Sequence, residues 1–122
     1  MWIRLSLLQQ RIGGAKSATS RRQSDGVWLE LVPGITLKML NVDPVSGERT
    51  GLVRIAPGSA FPAHDHPETE ECFVLEGVVN IDGQDYQPGD YVIAHAGSRH
   101  DVIRSARGGP LLLHWKAMTT TA

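Results

Sequence analysis

The sequence predicts an all-β domain, a sandwich or barrel built from about eight short strands. Three observations predict it. Apolar and polar residues alternate over short runs, as Ile35, Leu37 and Met39 do with Thr36 and Lys38, which is the period of a half-buried strand. Turn residues interrupt these runs at Pro33-Gly34, Pro57-Gly58, Asp82-Gly83, Pro88-Gly89 and Gly97-Ser98. After residue 25 no segment carries a helical period, and strands without helices bury their apolar faces against one another.

Taken in order, Val27 to Val32 reads as the first strand, stopped by Pro33-Gly34. The alternating run from Ile35 follows, and Asp43-Pro44-Val45-Ser46-Gly47 supplies a turn of residues that fix or permit turn dihedrals. Thr50 to Ala56 is a strand, and Glu71 to Leu75 is a mostly apolar one. Gly77 lets the chain bend into Val78 to Ile81. Asp82-Gly83 is a strong two-residue hairpin signal and returns the chain through Gln84 to Tyr86. Tyr91 to Ala94, His100 to Arg104 and Leu111 to Lys116 complete the set, the last two separated by Gly108-Gly109-Pro110.

The chain has 122 residues and a formal net charge of −1, enough for one domain with a modest core. The charge is uneven. Residues 1–24 hold Arg4, Arg11, Lys16, Arg21 and Arg22 and no acid, so +5; the remainder holds seven bases and thirteen acids, so −6. An acidic body argues against nucleic acid as the main partner. No apolar run approaches the roughly 20 residues of a membrane helix. A lone cysteine, Cys72, excludes an internal disulfide and suits a reducing compartment, so a cytoplasmic location is expected. Trp2, Leu5, Leu8 and Ile12 fall near helical spacing before Gly13-Gly14, and Lys16 to Ser24 is polar and basic. Residues 1–24 are therefore expected to form a flexible or partner-packed extension, with a transit peptide or a membrane-surface helix as alternatives. The domain is expected over 25–118 with a tail over 119–122, and a truncation starting near Asp25 is expected to fold and bind metal.

The chemistry concentrates in His64-Asp65-His66-Pro67-Glu68-Thr69-Glu70. On a strand His64 and His66 share a face, and the turn after Pro67 lets Glu70 return a carboxylate to the same point. Imidazoles with a carboxylate suit iron, manganese, zinc or nickel. The wider pattern, Gly58-x5-His64-x-His66-x3-Glu70-x6-Gly77 followed by Gly89-x5-His95-x-Gly97-x2-His100-x3-Arg104, resembles the two motifs of the cupin family. His95 and Arg104 stand where that family has Pro and Asn. Finer features, including Pro33-Gly34-Ile35, Gly51 to Gly58, Glu70-Glu71 and Gly89-Asp90-Tyr91, resemble the ChrR-type subgroup, which includes the C-terminal domain of anti-sigma factors.

The resemblance implies a double-stranded β-helix or jelly-roll barrel, one divalent metal per chain, and His64, His66, Glu70 and His100 as its ligands. It also implies a homodimer. Residues 1–26 contain no Cys or His for the extra zinc domain of anti-sigma factors, so a direct anti-sigma function is not expected. Two functions are expected to compete: a metal-dependent enzyme, dioxygenase-like, acting on a small organic molecule, and a non-catalytic sensor or binding module. Zinc would point the enzyme towards isomerase or hydrolase chemistry. Glu71, Tyr91 and Arg104 are the catalytic candidates, with Tyr86, Cys72 and His114 behind them. Arg104 and Arg54 are weighed as forks for a substrate carboxylate, and His95 as a rim residue. Val74, Val102 and Leu113 are expected to line the pocket; Trp28, Tyr86, Tyr91 and Trp115 are expected in the core or an interface, and His114 as a hydrogen-bonded core histidine.

Overall fold

The computed structural model describes residues 18–100 and 102–116. The expected helix-spaced start at 1–12 and the tail at 119–122 lie outside these residues. The described chain holds twelve strands: β1 (Trp28–Val32), β2 (Ile35–Val42), β3 (Glu48–Ile55), β4 (Ala60–Phe61), β5 (His64–Asp65), β6 (Glu70–Val74), β7 (Val79–Ile81), β8 (Gln84–Tyr86), β9 (Tyr91–Ala94), β10 (Arg99–His100), β11 (Ile103–Arg104) and β12 (Gly109–Lys116). The surplus over the expected number comes from two-residue strands around the histidines, too short to show a period. Among the described residues no helix is long and apolar enough to cross a membrane.

One sheet has six strands in the order β1-β2-β3-β12-β6-β9. Opposite it lie a four-stranded sheet, β4-β11-β7-β8, and the pair β10-β5. Alternation explains the packing between them. Ile35, Leu37, Val53, Val74, Leu111 and Leu113 point inward from the large sheet and meet Val79 and Ile81 of the small one in a single apolar cluster. Burying such a side chain contributes about 1.5–3 kcal/mol. β12 sits at the centre of the large sheet, paired with β3 over its whole length and with β6 from Leu111 to Trp115. It begins two residues before the expected Leu111, because Gly109 and Pro110 continue the ladder against Ile55 and Arg54. Gly77 makes this possible: at φ 73° it lies so close to Gly108 that a Cβ would collide with the Gly108 carbonyl oxygen.

Lys38 departs from the expected half-buried pattern. It points away from the barrel interior, yet only 4% of it is exposed. Residues 22–25 form a turn, closed by Asp25 N–H to Arg22 O at 3.0 Å and by Arg22 N–H to Asp25 Oδ2 at 2.7 Å. The Lys38 ammonium donates to Gln23 O at 2.6 Å and to Arg22 O at 3.4 Å. Part of the segment read as an extension is thus a lid over β2.

Candidate metal centre

The site is assembled by pairing between short strands. β5 and β10 run antiparallel with His64 directly opposite His100 and Asp65 opposite Arg99. Asp65 and Arg99 form an exposed ion pair at 3.0 Å, so the histidines take the other face. His66 follows β5 and is clamped by its backbone: its N–H donates to Ser98 O at 2.8 Å, and its carbonyl accepts from Gly97 N–H at 2.7 Å. That clamp needs the left-handed turn at Gly97, φ 88°. Glu70 opens β6, where pairing with Trp115 and Ala94 holds its backbone.

The three imidazoles form a triangle, with ring centroids 4.7 Å apart for His64–His66, 4.3 Å for His66–His100 and 5.8 Å for His64–His100. Glu70 Oε2 lies 3.8 Å from His66 Nε2. Ligand atoms of His64, His66 and Glu70 all lie within 4.8 Å of one another.

Hydrogen bonds decide which ring nitrogens are free. His64 Nδ1 lies 3.0 Å from Pro62 O, and His100 Nδ1 lies 2.9 Å from Asp82 Oδ2. Both partners are acceptors, so Nδ1 carries the hydrogen in each ring and Nε2 keeps its lone pair. His66 Nδ1 meets Ser98 Oγ at 3.4 Å. His66 Nε2 is buried and has no hydrogen-bond partner. Such an orphaned nitrogen costs about 1–3 kcal/mol unless something binds it. Burial, then the neighbouring His100 and His64, hold the His66 ring down to about 4, so at neutral pH it is an uncharged donor. Burial raises the Glu70 carboxyl, while His64 and His100 oppose that rise. The donor set and the orphaned nitrogen fit a divalent cation, which would relieve both penalties.

Beside this cluster opens a cavity of about 280 Å³. His64, His66, Glu70 and His100 stand on its polar side together with Asp65, Glu68 and Lys116; Leu31, Ile35, Ile55, Phe61, Ile103 and Leu111 contribute to the apolar one. Leu113 lines it as expected, and so does Cys72. Val74 does not, being wholly buried in the core, and neither does Val102. The Cys72 thiol is free and is pushed up to about 12, first by burial and then by the Glu70 carboxylate. It is a weak nucleophile at neutral pH.

The other candidates lie elsewhere. Glu71 points to the outer face of β6 and accepts a 2.5 Å hydrogen bond from Tyr91, whose side chain is exposed. Arg104 is exposed on β11, and Arg54 lies 4.3 Å from the centre of the Trp28 ring. None of the four lines the cavity. The expectation that Tyr91 is a core or interface residue is therefore corrected for the core: strand parity turns it outward. His114 is corrected likewise. It is hydrogen-bonded to Thr50 Oγ1 at 2.9 Å, but its side chain is 40% exposed on the outer face, because it alternates with the buried Leu113 and Trp115. His95 is an exposed loop residue, and Tyr86 packs at the edge of the core. Sequence reasoning missed Asp82, which it read only as a turn residue, and Ser98.

Comparisons with known proteins bear on the family and the fold. The family model of the ChrR cupin-like domain matches residues 17–118. No curated protein matches the sequence. Among solved structures, an RmlC-like cupin from Shewanella frigidimarina superposes with a TM-score of 0.71 at 18% identity, covering 82% of this chain and 91% of that one. The anti-sigma factor ChrR of Rhodobacter sphaeroides, solved in complex with SigE, gives 0.66 at 26% identity, covering 77% of this chain and 51% of that one. An acetylacetone dioxygenase from Acinetobacter johnsonii gives 0.68 at 17% identity, covering 84% and 78%. The all-β architecture, the two facing sheets and a family match over most of the chain lead to one assignment: the chain belongs to the ChrR cupin-like domain family and has the jelly-roll fold of the cupins.

Proposed function

We propose that this protein is a metal-dependent enzyme of dioxygenase type, acting on a small, partly apolar organic molecule. His64, His66, Glu70 and His100 would hold one divalent ion, which when bound supplies Lewis-acid and redox chemistry at its open positions. The observation that carries this reading is the buried, unpartnered Nε2 of His66, 3.8 Å from the Glu70 carboxylate. The chain's own contribution is binding and exclusion. The acceptors at Pro62 and Asp82 set the ring tautomers. The aliphatic wall takes the apolar part of the substrate and keeps water out. A substrate with hydroxyls along its length would leave them unpaired against Ile35, Ile55 and Leu111, at a cost per group of roughly 1–3 kcal/mol. The fitting class is therefore a compact molecule with a chelating oxygen pair at one end, and acetylacetone is a suitable first probe.

A second reading, a non-catalytic sensor, is favoured by the placement of Glu71, Tyr91 and Arg104 outside the cavity. Chemistry that needs a dedicated general acid or base finds none of these candidates in place. Elemental analysis of protein purified without chelator or affinity nickel, followed by oxygen uptake with acetylacetone and bulkier 1,3-diketones, separates the two. Iron or manganese near one per chain with substrate-dependent uptake is the expected result. Zinc, with ligand binding and no turnover, would replace it with the sensor.

The same proposal includes a cytoplasmic homodimer. Trp28, Lys38, Leu52, Leu112, Phe73 and Tyr91 form one row across the outer face of all six strands of the large sheet. Phe73, Leu75, Tyr91 and Ile93 are each more than a third exposed, and adjoining exposed apolar side chains mark contact surfaces. Light scattering is expected to give twice the chain mass for wild type and the monomer mass for a Phe73→Glu, Ile93→Glu double variant. A wild-type monomer would remove the dimer from the proposal.

A further inference from the structure

We propose that Asp82 is a positioning residue for the metal centre: its carboxylate fixes the tautomer and orientation of His100. The inference rests on His100 being a ligand, as proposed above.

Asp82 and Gly83 form the two-residue loop between β7 and β8, with φ of 52° and 82°. Two successive positive φ values match the type I′ hairpin turn, which Asn-Gly and Gly-Gly satisfy as well as Asp-Gly does. Asp82 is the only non-glycine among the described residues with positive φ. The turn therefore requires an αL-tolerant residue at position 82, but it does not require a carboxylate.

The carboxylate meets a histidine outside its own hairpin. Its Oδ2 lies 2.9 Å from Nδ1 of His100, eighteen residues away and in a different sheet. The His100 side chain is 10% exposed and that of Asp82 45%, so the contact sits at the boundary between interior and solvent. A carboxylate oxygen accepts from Nδ1–H, which leaves the lone pair on Nε2, the nitrogen available to a metal. Carboxylate–histidine pairs of this kind orient a metal-binding ring and raise its basicity. The comparison with His64 is informative. There the acceptor is the Pro62 backbone carbonyl, which no side-chain substitution removes. At His100 the same task falls to a side chain, so it can be deleted without touching the ring.

Full-length Asp82→Gly and Asp82→Asn variants test the inference, with Zn2+ alone as the probe. Zinc affinity is measured by competition with a chromophoric chelator. The His100 tautomer is read from imidazole 15N shifts in the metal-free protein. Asp82→Gly is expected to keep the turn and a cooperative metal-free unfolding transition, to lose about 10- to 100-fold in zinc affinity, and to shift His100 from the Nδ1–H form to a mixture. Asp82→Asn retains a neutral acceptor and is expected to fall between it and wild type. Wild-type zinc affinity in both variants, or an affinity loss with an unchanged His100 tautomer, would overturn the positioning role. A His100→Ala variant separates the two levels. If it loses zinc while Asp82→Gly does not, only the inference about Asp82 fails. If it binds zinc as wild type does, the four-ligand reading fails and takes the inference with it.

Discussion

A His66→Ala variant is expected to lose stoichiometric binding of a divalent metal and with it the stabilisation that the metal gives. Losing an outer partner of a ligand typically costs 10- to 100-fold in affinity, roughly. Losing the ligand at the centre of the cluster should cost more. His66 is that centre: its ring lies nearest both other imidazoles, and its free nitrogen faces Glu70. An ion that binds only the native state at about 100 times its Kd adds about 2.7 kcal/mol, so the metal-induced rise in melting temperature is the readout. An equal rise in the variant would remove His66 from the site. The metal-free protein carries a second signature. His66 is pushed down to about 4 by burial, whereas an unfolded histidine titrates near its ordinary value of 6.5. The unfolded chain therefore takes up a proton first as pH falls. The stability contributed by neutral His66 is complete above about 6.5 and is lost progressively towards pH 4. The raised Glu70 carboxyl works in the opposite direction, so the informative quantity is the difference between wild type and His66→Ala across that window. A smaller slope in the variant is expected from urea unfolding at several pH values.

Local rules made much of this site legible and tertiary placement explains what they missed. Period-two alternation predicts His64 and His66 on one face, although His66 lies just past β5 and is held there by Gly97 and Ser98, and the spacing to Glu70 brings the carboxylate back. The hairpin at Asp82-Gly83 follows from turn chemistry alone. That Asp82 then meets His100 does not, because the contact joins two sheets. Tyr91 and His114 show a different failure. Residue type, an aromatic ring or an apolar neighbourhood, suggests the interior for both, whereas the strand period places them outside. Arg49 is the converse. It shares a face with Gly51, Val53 and Ile55, and it is 9% exposed with Nε lacking a partner, so parity could have placed it inside where charge suggested solvent. Lys38 was beyond any local rule. Its strand position points to solvent, and the turn at 22–25 takes its ammonium.

That turn carries the second large effect. A chain starting at Gly26 is expected to be markedly less stable than one starting at Ala18, although it retains every proposed metal ligand. The reason is the Lys38 ammonium. In the structure it is 4% exposed and donates to Gln23 O at 2.6 Å and Arg22 O at 3.4 Å. A hydrogen bond from a charged donor contributes about 1.5–3 kcal/mol, and the shorter bond is the stronger of the two. Starting at Gly26 deletes both acceptors and the Asp25 carboxylate that closes their turn. The ammonium then regains water, which offsets part of the loss, but the outer face of β2 loses its cover. The expected net cost is about 2 kcal/mol, read as a lower urea midpoint. A Lys38→Met background identifies the cause. With no ammonium to satisfy, the same truncation should cost much less, and the difference between the two costs is the coupling between the turn and Lys38. Equal costs in both backgrounds would mean that the turn stabilises the sheet by covering it, with the lysine a bystander. Metal binding by the shorter chain, measured at a temperature where it remains folded, is expected to match wild type, because the turn lies on the outer face of β2 and the histidines lie inside the barrel.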